Sequence, residues 1–296
     1  MKLLQVGYSH PRNSEFMVRA CKLFSIEYYY NATPDNINSD YDIIWCPTHW
    51  IDPELFPLCK FIFGPQFWVF PNANDPIFTL AKPEHKNRCI YTCLSDWNVV
   101  CHNEFHDISV SPIPFIPLPF GLNVEKHIKD VYEYDCIIYF KHRHPSLLEF
   151  SKSVLDTLML KYKVFIYGNY NLNDYITTLK KTKFAVWIGS HESQGFALQE
   201  CLATGTPIFV YDVVSLKDEY TDHYNYINYK EKLLATTVPY WNTDCGMKVY
   251  TDQEFIDKLP EFINNLKMYN PSDFINKNLT DKICFDRFLA ALSIKT

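Results

Sequence analysis

Long basic runs are missing from this sequence, and their absence sets the first limits on function. The 296 residues carry 28 Lys and Arg against 34 Asp and Glu, a net charge of −6 at pH 7. No basic block offers nucleic acid or an anionic membrane a footprint, so any phosphate contact must be local. Apolar stretches of membrane-spanning length are missing too, and no secretory leader opens the chain: Leu3, Leu4 and Val6 form a short run that ends at Gly7. This pattern predicts a cytoplasmic, reducing setting with no transmembrane segment, in which Asn31-Ala32-Thr33 and Asn278-Leu279-Thr280 match glycosylation acceptors by chance. The ten cysteines contain no Cys-x-x-Cys. Cys89 and Cys93 have no matching second pair, which argues against zinc and for buried thiols. There is no internal repeat or low-complexity tract.

Apolar and aromatic residues are plentiful. The chain is 47% hydrophobic and 17% aromatic, with 21 Tyr and 22 Phe, enough to fill two cores in a length that suits two ordinary domains. Such rings serve sugar-handling faces and core packing alike. Short apolar runs alternate with helical patterns. Lys2 to Val6 reads as a buried strand and Asn13 to Phe24 as a helix; Glu27 to Tyr30, Asp42 to Cys46, Lys60 to Phe63, Cys89 to Thr92 and Ile113 to Ile116 read as further strands. Pro112, Pro114, Pro117 and Pro119 forbid a helix and predict a stiff extended connector, so residues 1–120 form a first domain.

The alternation then restarts. Strand Asp135 to Phe140 is followed by helix Ser146 to Leu160, strand Lys163 to Tyr167, helix Asp174 to Lys180, strand Lys183 to Ile188, a short helix and strand Ile208 to Tyr211. Asp252 to Met268, kinked or restarted at Pro260, and Asn276 to Leu292 read as closing helices. This spacing demands parallel strands with right-handed crossovers, an α/β class in which ligands bind beyond the carboxyl ends of the strands.

The run His191-Glu192-Ser193-Gln194-Gly195-Phe196-Ala197-Leu198-Gln199-Glu200, with its exit Cys201-Leu202-Ala203-Thr204-Gly205-Thr206-Pro207, sits at such an end. A helix beginning near Gly195 aims backbone N–H groups and its positive dipole end at whatever lies above the sheet, which favours phosphate. Glu192 precedes the helix and Glu200 lies roughly a turn and a half inside it, so two carboxylates can bracket one elongated, hydroxyl-rich ligand. Gly205 supplies the stop and Pro207 prevents continuation.

Two glutamates eight positions apart, a glycine between them and an Ala-x-Gly-x-Pro exit resemble the nucleotide-sugar motif of GT-B glycosyltransferases, particularly the retaining family-four type. The resemblance implies two Rossmann-like doubly wound domains facing a cleft. It places the acceptor domain at 1–120, the donor domain at 121–280 and a last helix, 281–296, crossing back to the first. It assigns the donor sugar to Glu192, the diphosphate to the amides of Gly195, Phe196 and Ala197, and the ribose to Glu200. Pro119-Phe120-Gly121-Leu122-Asn123-Val124-Glu125-Lys126 is similar to the linker entering the second domain of such enzymes, with Asn where they keep Asp. The Lys-, Asn- and Tyr-rich composition resembles that of large-DNA-virus proteins.

The same likeness implies a metal-independent transfer from a donor such as a UDP- or GDP-sugar to a glycan or other hydroxyl acceptor, with no cofactor. No Asp-x-Asp stands at a strand end to hold a metal-bound diphosphate. Lys141 and Arg143, in the turn Lys141-His142-Arg143-His144, are the expected diphosphate cations, although the family's usual Gly-Arg and Lys-Gly are absent and a solvated basic turn is the alternative. Gly168, at another strand end, is expected to line the same site. His49 is the candidate to face the sugar from the first domain as donor or base, or else it is a core-edge residue beside Trp50. Asp96 and His10 are weaker candidates from that domain, and Tyr240-Trp241-Asn242 is either a sugar platform or a packed loop. Two rival functions share the fold: a nucleotide-sugar epimerase or hydrolase, and an inert sugar-binding module.

Overall fold

Strands form where an apolar run is too short for a helix and must be covered on both faces. Ile43–Cys46 and Ile208–Tyr211 are buried at every residue for this reason. The computed structural model describes residues 1–35, 37, 40–65, 76–105, 108, 111–123, 131–220 and 233–293. It divides into two units, Met1–Asn123 with Leu279–Thr296, and Val124–Asn278. Part of the expected linker, residues 124–126, lies outside the described residues. Among those described, no helix is long and apolar enough to cross a membrane.

The first unit runs β1 (Lys2–Val6), α1 (Pro11–Leu23), β2 (Glu27–Asn31), β3 (Ile43–Cys46), β4 (Lys60–Phe63), α2 (Pro76–Thr79), β5 (Cys89–Cys93), α3 (Asp96–Phe105) and β6 (Phe115–Pro117). Its sheet is parallel throughout, in the order β2-β1-β3-β4-β5-β6. Pro117 is tolerated because β6 is an edge strand.

The second unit runs β7 (Tyr134–Phe140), α4 (Pro145–Thr157), β8 (Tyr162–Ile166), α5 (Leu172–Leu179), β9 (Thr182–Ile188), α6 (Phe196–Ala203), β10 (Ile208–Tyr211), β11 (Gly246–Val249), α7 (Asp252–Asn264) and α8 (Pro271–Asn278). Its sheet is also parallel, in the order β11-β10-β9-β7-β8. One face buries Phe184, Val186 and Ile188 against Phe255, Leu259 and Phe262 of α7. On the other, the Trp187 indole stacks on Tyr139 at 4.0 Å. In each unit the strand order reverses between the first and third strands, β1/β3 and β7/β9. Such a reversal opens a crevice at the carboxyl ends, where ligands bind in doubly wound sheets.

The closing helices differ from expectation in two places. Helix α7 continues through Pro260 and ends at Asn264. The helix expected over 276–292 is two helices, α8 and α9 (Asp281–Ala291), broken at Leu279-Thr280. Thr280 caps α9 by accepting from the Ile283 N–H, a helix start written in the sequence as Thr followed by Asp. Helix α9 belongs to the first unit, where Phe285 and Phe288 pack on Phe16 and Gly121 lies so close that a Cβ there would come within 2.6 Å of the Asp281 Cα. Arg19 of α1 clamps the Asp281 carboxylate with two bonds, 2.7 and 3.0 Å, and donates to the Gly121 carbonyl. Arg19→Ala is expected to cost about 1–3 kcal/mol, and Arg19→Lys should not restore it because a lysine cannot form the fork. Thermal denaturation of the two variants checks both statements.

Candidate active site

Three consecutive side chains of the turn after β7 reach toward the end of β9, each at a different depth. Lys141 Nζ lies 2.9 Å from Glu192 Oε1, both side chains nearly buried, and 4.4 Å above the Tyr167 ring. His142 lies 3.6 Å from Glu219 Oε1, while His191 Nδ1 donates to Glu219 Oε2 at 2.7 Å. Arg143 goes deepest: its Nη1 donates to the carbonyls of Gly189 (3.0 Å) and Tyr211 (3.4 Å). Burial pulls the Arg143 pKa down against its acidic neighbours, of which Asp218 acts most strongly. The separation of depths has a backbone cause. His142 takes a left-handed φ of 53°, which breaks the extended alternation that would aim Lys141 and Arg143 alike.

The loop from Gly189 to Gly195 is held from above by a second latch. Asp212, just past β10, accepts from Thr236 Oγ1, the Thr237 N–H and Lys248 Nζ, at 2.9, 2.8 and 2.9 Å. Thr236 then accepts from the Glu192 N–H at 3.1 Å. Thr237 presses so close that a Cβ on Gly189 would meet its Oγ1 at 2.0 Å, so this position admits only glycine without a shift. Gln194 and Gln199 bond one another across the start of α6, at 3.1 Å in each direction.

Gly195 is the N-cap of α6, with φ 80° and ψ 58°, and contributes no side chain to cover the helix end. The first turn of α6, with the amides of Phe196 and Ala197, therefore follows a cap residue that has no side chain of its own. Tyr175 anchors the helix from below by donating to the Ala197 carbonyl at 2.7 Å. Glu200 is part-buried in α6. Burial is the main cause that raises the Tyr170 pKa, and the charges of Glu200 and Glu192 push the same way. Gly168 lies in the exposed turn after β8 with φ 77°, and a Cβ added there would meet nothing within 4 Å, so it is a turn glycine at the rim and not a close-approach one.

In the first unit His49 follows β3 and is half-buried, with Nδ1 3.1 Å from Thr48 Oγ1. A Cβ on Gly7, at the end of β1, would meet that ring nitrogen at 2.1 Å, which puts His49 at this unit's own strand-order reversal. His10 caps α1 by accepting from the Arg12 N–H, just as His144 caps α4 from the Ser146 N–H. Burial lowers the His10 pKa, consistent with a neutral acceptor. Asp96 is exposed in the first turn of α3, where a negative charge suits the helix dipole. Trp241 is half-buried and lies 5.7 Å under Lys248 Nζ, and the exposed Asn242 caps a short turn. A cavity of about 280 Å³ opens beside Gln5, Tyr8, Ser9, Ser14, Tyr28 and Tyr30. All ten cysteines are free and buried, and burial pushes thiols such as Cys21 and Cys284 up to about 12.

The structure thus gathers Lys141, Glu192, Gly195, Phe196, Ala197 and Glu200 at one end of one sheet. It places Arg143 beneath them, bonded to main-chain carbonyls where a diphosphate contact was expected. Sequence reasoning missed Asp212, Glu219 and Thr237. Asp212 had a signal, an acid directly after a strand; Glu219 and Thr237 sit in irregular chain that carries none.

No protein-family model matches the chain, and no curated protein is significantly similar in sequence. Solved structures do resemble it. A TarM mutant from S. aureus, in complex with Fondaparinux, alpha-GlcNAc-glycerol and UDP, is 14% identical with a TM-score of 0.52 over 84% of this chain and 55% of that one. The chain spans about half the length of that structure. The lipopolysaccharide outer core galactosyltransferase WaaB, in its apo form, is 10% identical with a TM-score of 0.56 over 99% of both chains. A sucrose-phosphate synthase from Thermosynechococcus elongatus is 9% identical with a TM-score of 0.55 over 98% of both. These likenesses and the two parallel sheets establish an α/β fold of the GT-B type.

Proposed function

We propose that this chain is a glycosyltransferase that moves a sugar from a nucleotide-diphosphate donor, such as a UDP- or GDP-sugar, to a hydroxyl acceptor, a glycan or a small molecule. The observation that carries it is the Lys141–Glu192 pair at the β7/β9 reversal, beside the glycine-capped start of α6 with Glu200 further along the helix. Glu192 positions the sugar hydroxyls, the amides of Gly195, Phe196 and Ala197 with Lys141 take the diphosphate, and Glu200 accepts from the ribose. Arg143 acts from beneath, fixing the ends of β9 and β10. Transfer proceeds with retention and without a metal or other cofactor, the helix end and cations neutralising the leaving group. The tyrosine-lined cavity beside β1 suits a sugar-bearing acceptor, and His49 is the polar group of that unit best placed to meet a hydroxyl. The buried free thiols suit the cytoplasm.

A thermal-shift panel of nucleotide sugars tests this reading: the matching donor should raise the melting temperature, and none doing so at millimolar concentration argues for an inert module. Donor consumed equally fast without acceptor marks a hydrolase or epimerase instead. Glu200→Ala should weaken donor binding roughly 10- to 100-fold, the loss of one charge-assisted hydrogen bond. Calorimetry with the free nucleoside diphosphate measures it, and an unchanged Kd would remove Glu200 from the site.

A further inference from the structure

The buried cluster His142–Glu219–His191 lies directly behind the candidate site, and the assigned roles leave it unused. Glu219 belongs to the segment after β10, its side chain 1% exposed, and it engages both imidazoles through their Nδ1 atoms, at 2.7 and 3.6 Å. These histidines are the chain neighbours of the ion-paired residues: His142 follows Lys141 and His191 precedes Glu192. The Tyr220 N–H also donates to the His142 carbonyl at 2.8 Å, so the segment grips that turn twice. Burial opposes ionisation of Glu219, yet the bonds from His142 and His191 outweigh it and push its pKa down to about 2.

Charge at the rim gives this arrangement a purpose. Lys141 and Glu192 offset one another, and Arg143 faces carbonyls with Asp218 and Asp212 as its acidic neighbours. A diphosphate diester carries about two negative charges, more than this balance meets. In an imidazole whose Nδ1 is committed to a carboxylate, Nε2 is the ring nitrogen turned away from that carboxylate, and either a neutral or a charged ring can use it toward a phosphate oxygen.

Resting on the nucleotide-sugar reading, we infer that Glu219 is a positioning residue that fixes His142 and His191 with Nδ1 inward, so that the two imidazoles join Lys141 in holding the donor's diphosphate. Among the described residues, the charged and titratable groups around the pair are Lys141 and Arg143 from the β7 turn, Tyr167 from the β8 turn, Glu192 from the β9 loop, and Asp218 and Glu219 from the segment after β10.

The test compares the full chain with Glu219→Gln, which keeps the shape and one acceptor but removes the charge. Affinities for UDP, GDP and the matching nucleosides are measured near about pH 6 and about pH 8, bracketing imidazole titration. The variant should bind the preferred diphosphate about tenfold more weakly at the lower pH and lose most of the wild-type pH dependence, with nucleoside affinity unchanged. Comparing proteins at equal pH cancels the ligand's own ionisation. A variant that retains wild-type diphosphate affinity at both pH values, or weakens nucleoside and diphosphate equally, would overturn the inference and leave Glu219 a structural brace. Should Glu219→Gln fail to fold, His142→Asn and His191→Asn carry the same readout, and wild-type profiles in both overturn it. If the wild type binds neither diphosphate, the nucleotide-sugar reading itself fails. Tight but pH-independent wild-type binding sinks the histidine role alone.

Discussion

Glu192→Ala is expected to lower turnover by about a hundredfold or more while the donor's KM changes only a few-fold. The substitution removes the proposed acceptor for the sugar hydroxyls and, with it, the anion that lies 2.9 Å from Lys141. A charge-assisted hydrogen bond contributes about 1.5–3 kcal/mol, and a reacting group displaced by an ångström loses on the order of a hundredfold in rate. Under the proposed assignment these losses fall on kcat, because Glu200 and the α6 amides would still anchor the nucleotide end while Glu192 would orient the sugar. Stability should change less. Lys141 keeps its contact above the Tyr167 ring in the variant and has water within reach at the rim. Steady-state kinetics beside a melting curve separates the two effects. A kcat within threefold of wild type would strike Glu192 from the machinery.

The legible parts of the site are those governed by local rules. Gly195, the helix after it and the stop at Gly205 follow from chain chemistry that acts over a few residues, and the structure places each within a residue of its expected position. The strands of the second sheet follow from apolar runs, except β11. Its Gly-Met-Lys-Val shows no run, because an edge strand needs only partial cover. Side-chain direction was less legible. Two cations in one turn look equivalent in sequence, and only the left-handed His142 separates Lys141 at the rim from Arg143 in the interior. Glu219 and Asp212 bind partners far away in sequence, a relation no periodicity encodes. The break between α8 and α9 was obscured by the apolar residues on either side of it, which continue a helical pattern across Leu279-Thr280.

Edge strand β11 is the place where one methyl group should do the most structural damage. Gly246 has φ 141° and ψ −145°, a conformation that L side chains rarely adopt, and a Cβ there would stand 2.0 Å from the Ile208 carbonyl oxygen and 2.8 Å from its carbon. These are backbone atoms of the neighbouring strand, so no rotamer change relieves the contact; β11 must slide or part from β10. Gly246→Ala is therefore expected to destabilise the second unit by roughly 3–5 kcal/mol, lowering its melting temperature by about 10 °C. Damage should extend to the site. Strand β11 carries Lys248, which bonds Asp212; Asp212 holds Thr236 and Thr237; and Thr236 accepts from the Glu192 N–H. Donor affinity should fall along with stability, although residue 246 is outside the set proposed to bind it. Hydrogen exchange at Ile208–Tyr211, read with the melting curve, follows the cause: faster exchange there identifies loss of the β10–β11 ladder. A melting temperature within about two degrees of wild type would mean that the strand accommodates the methyl group, against the close approach of the two backbones at Gly246 and Ile208.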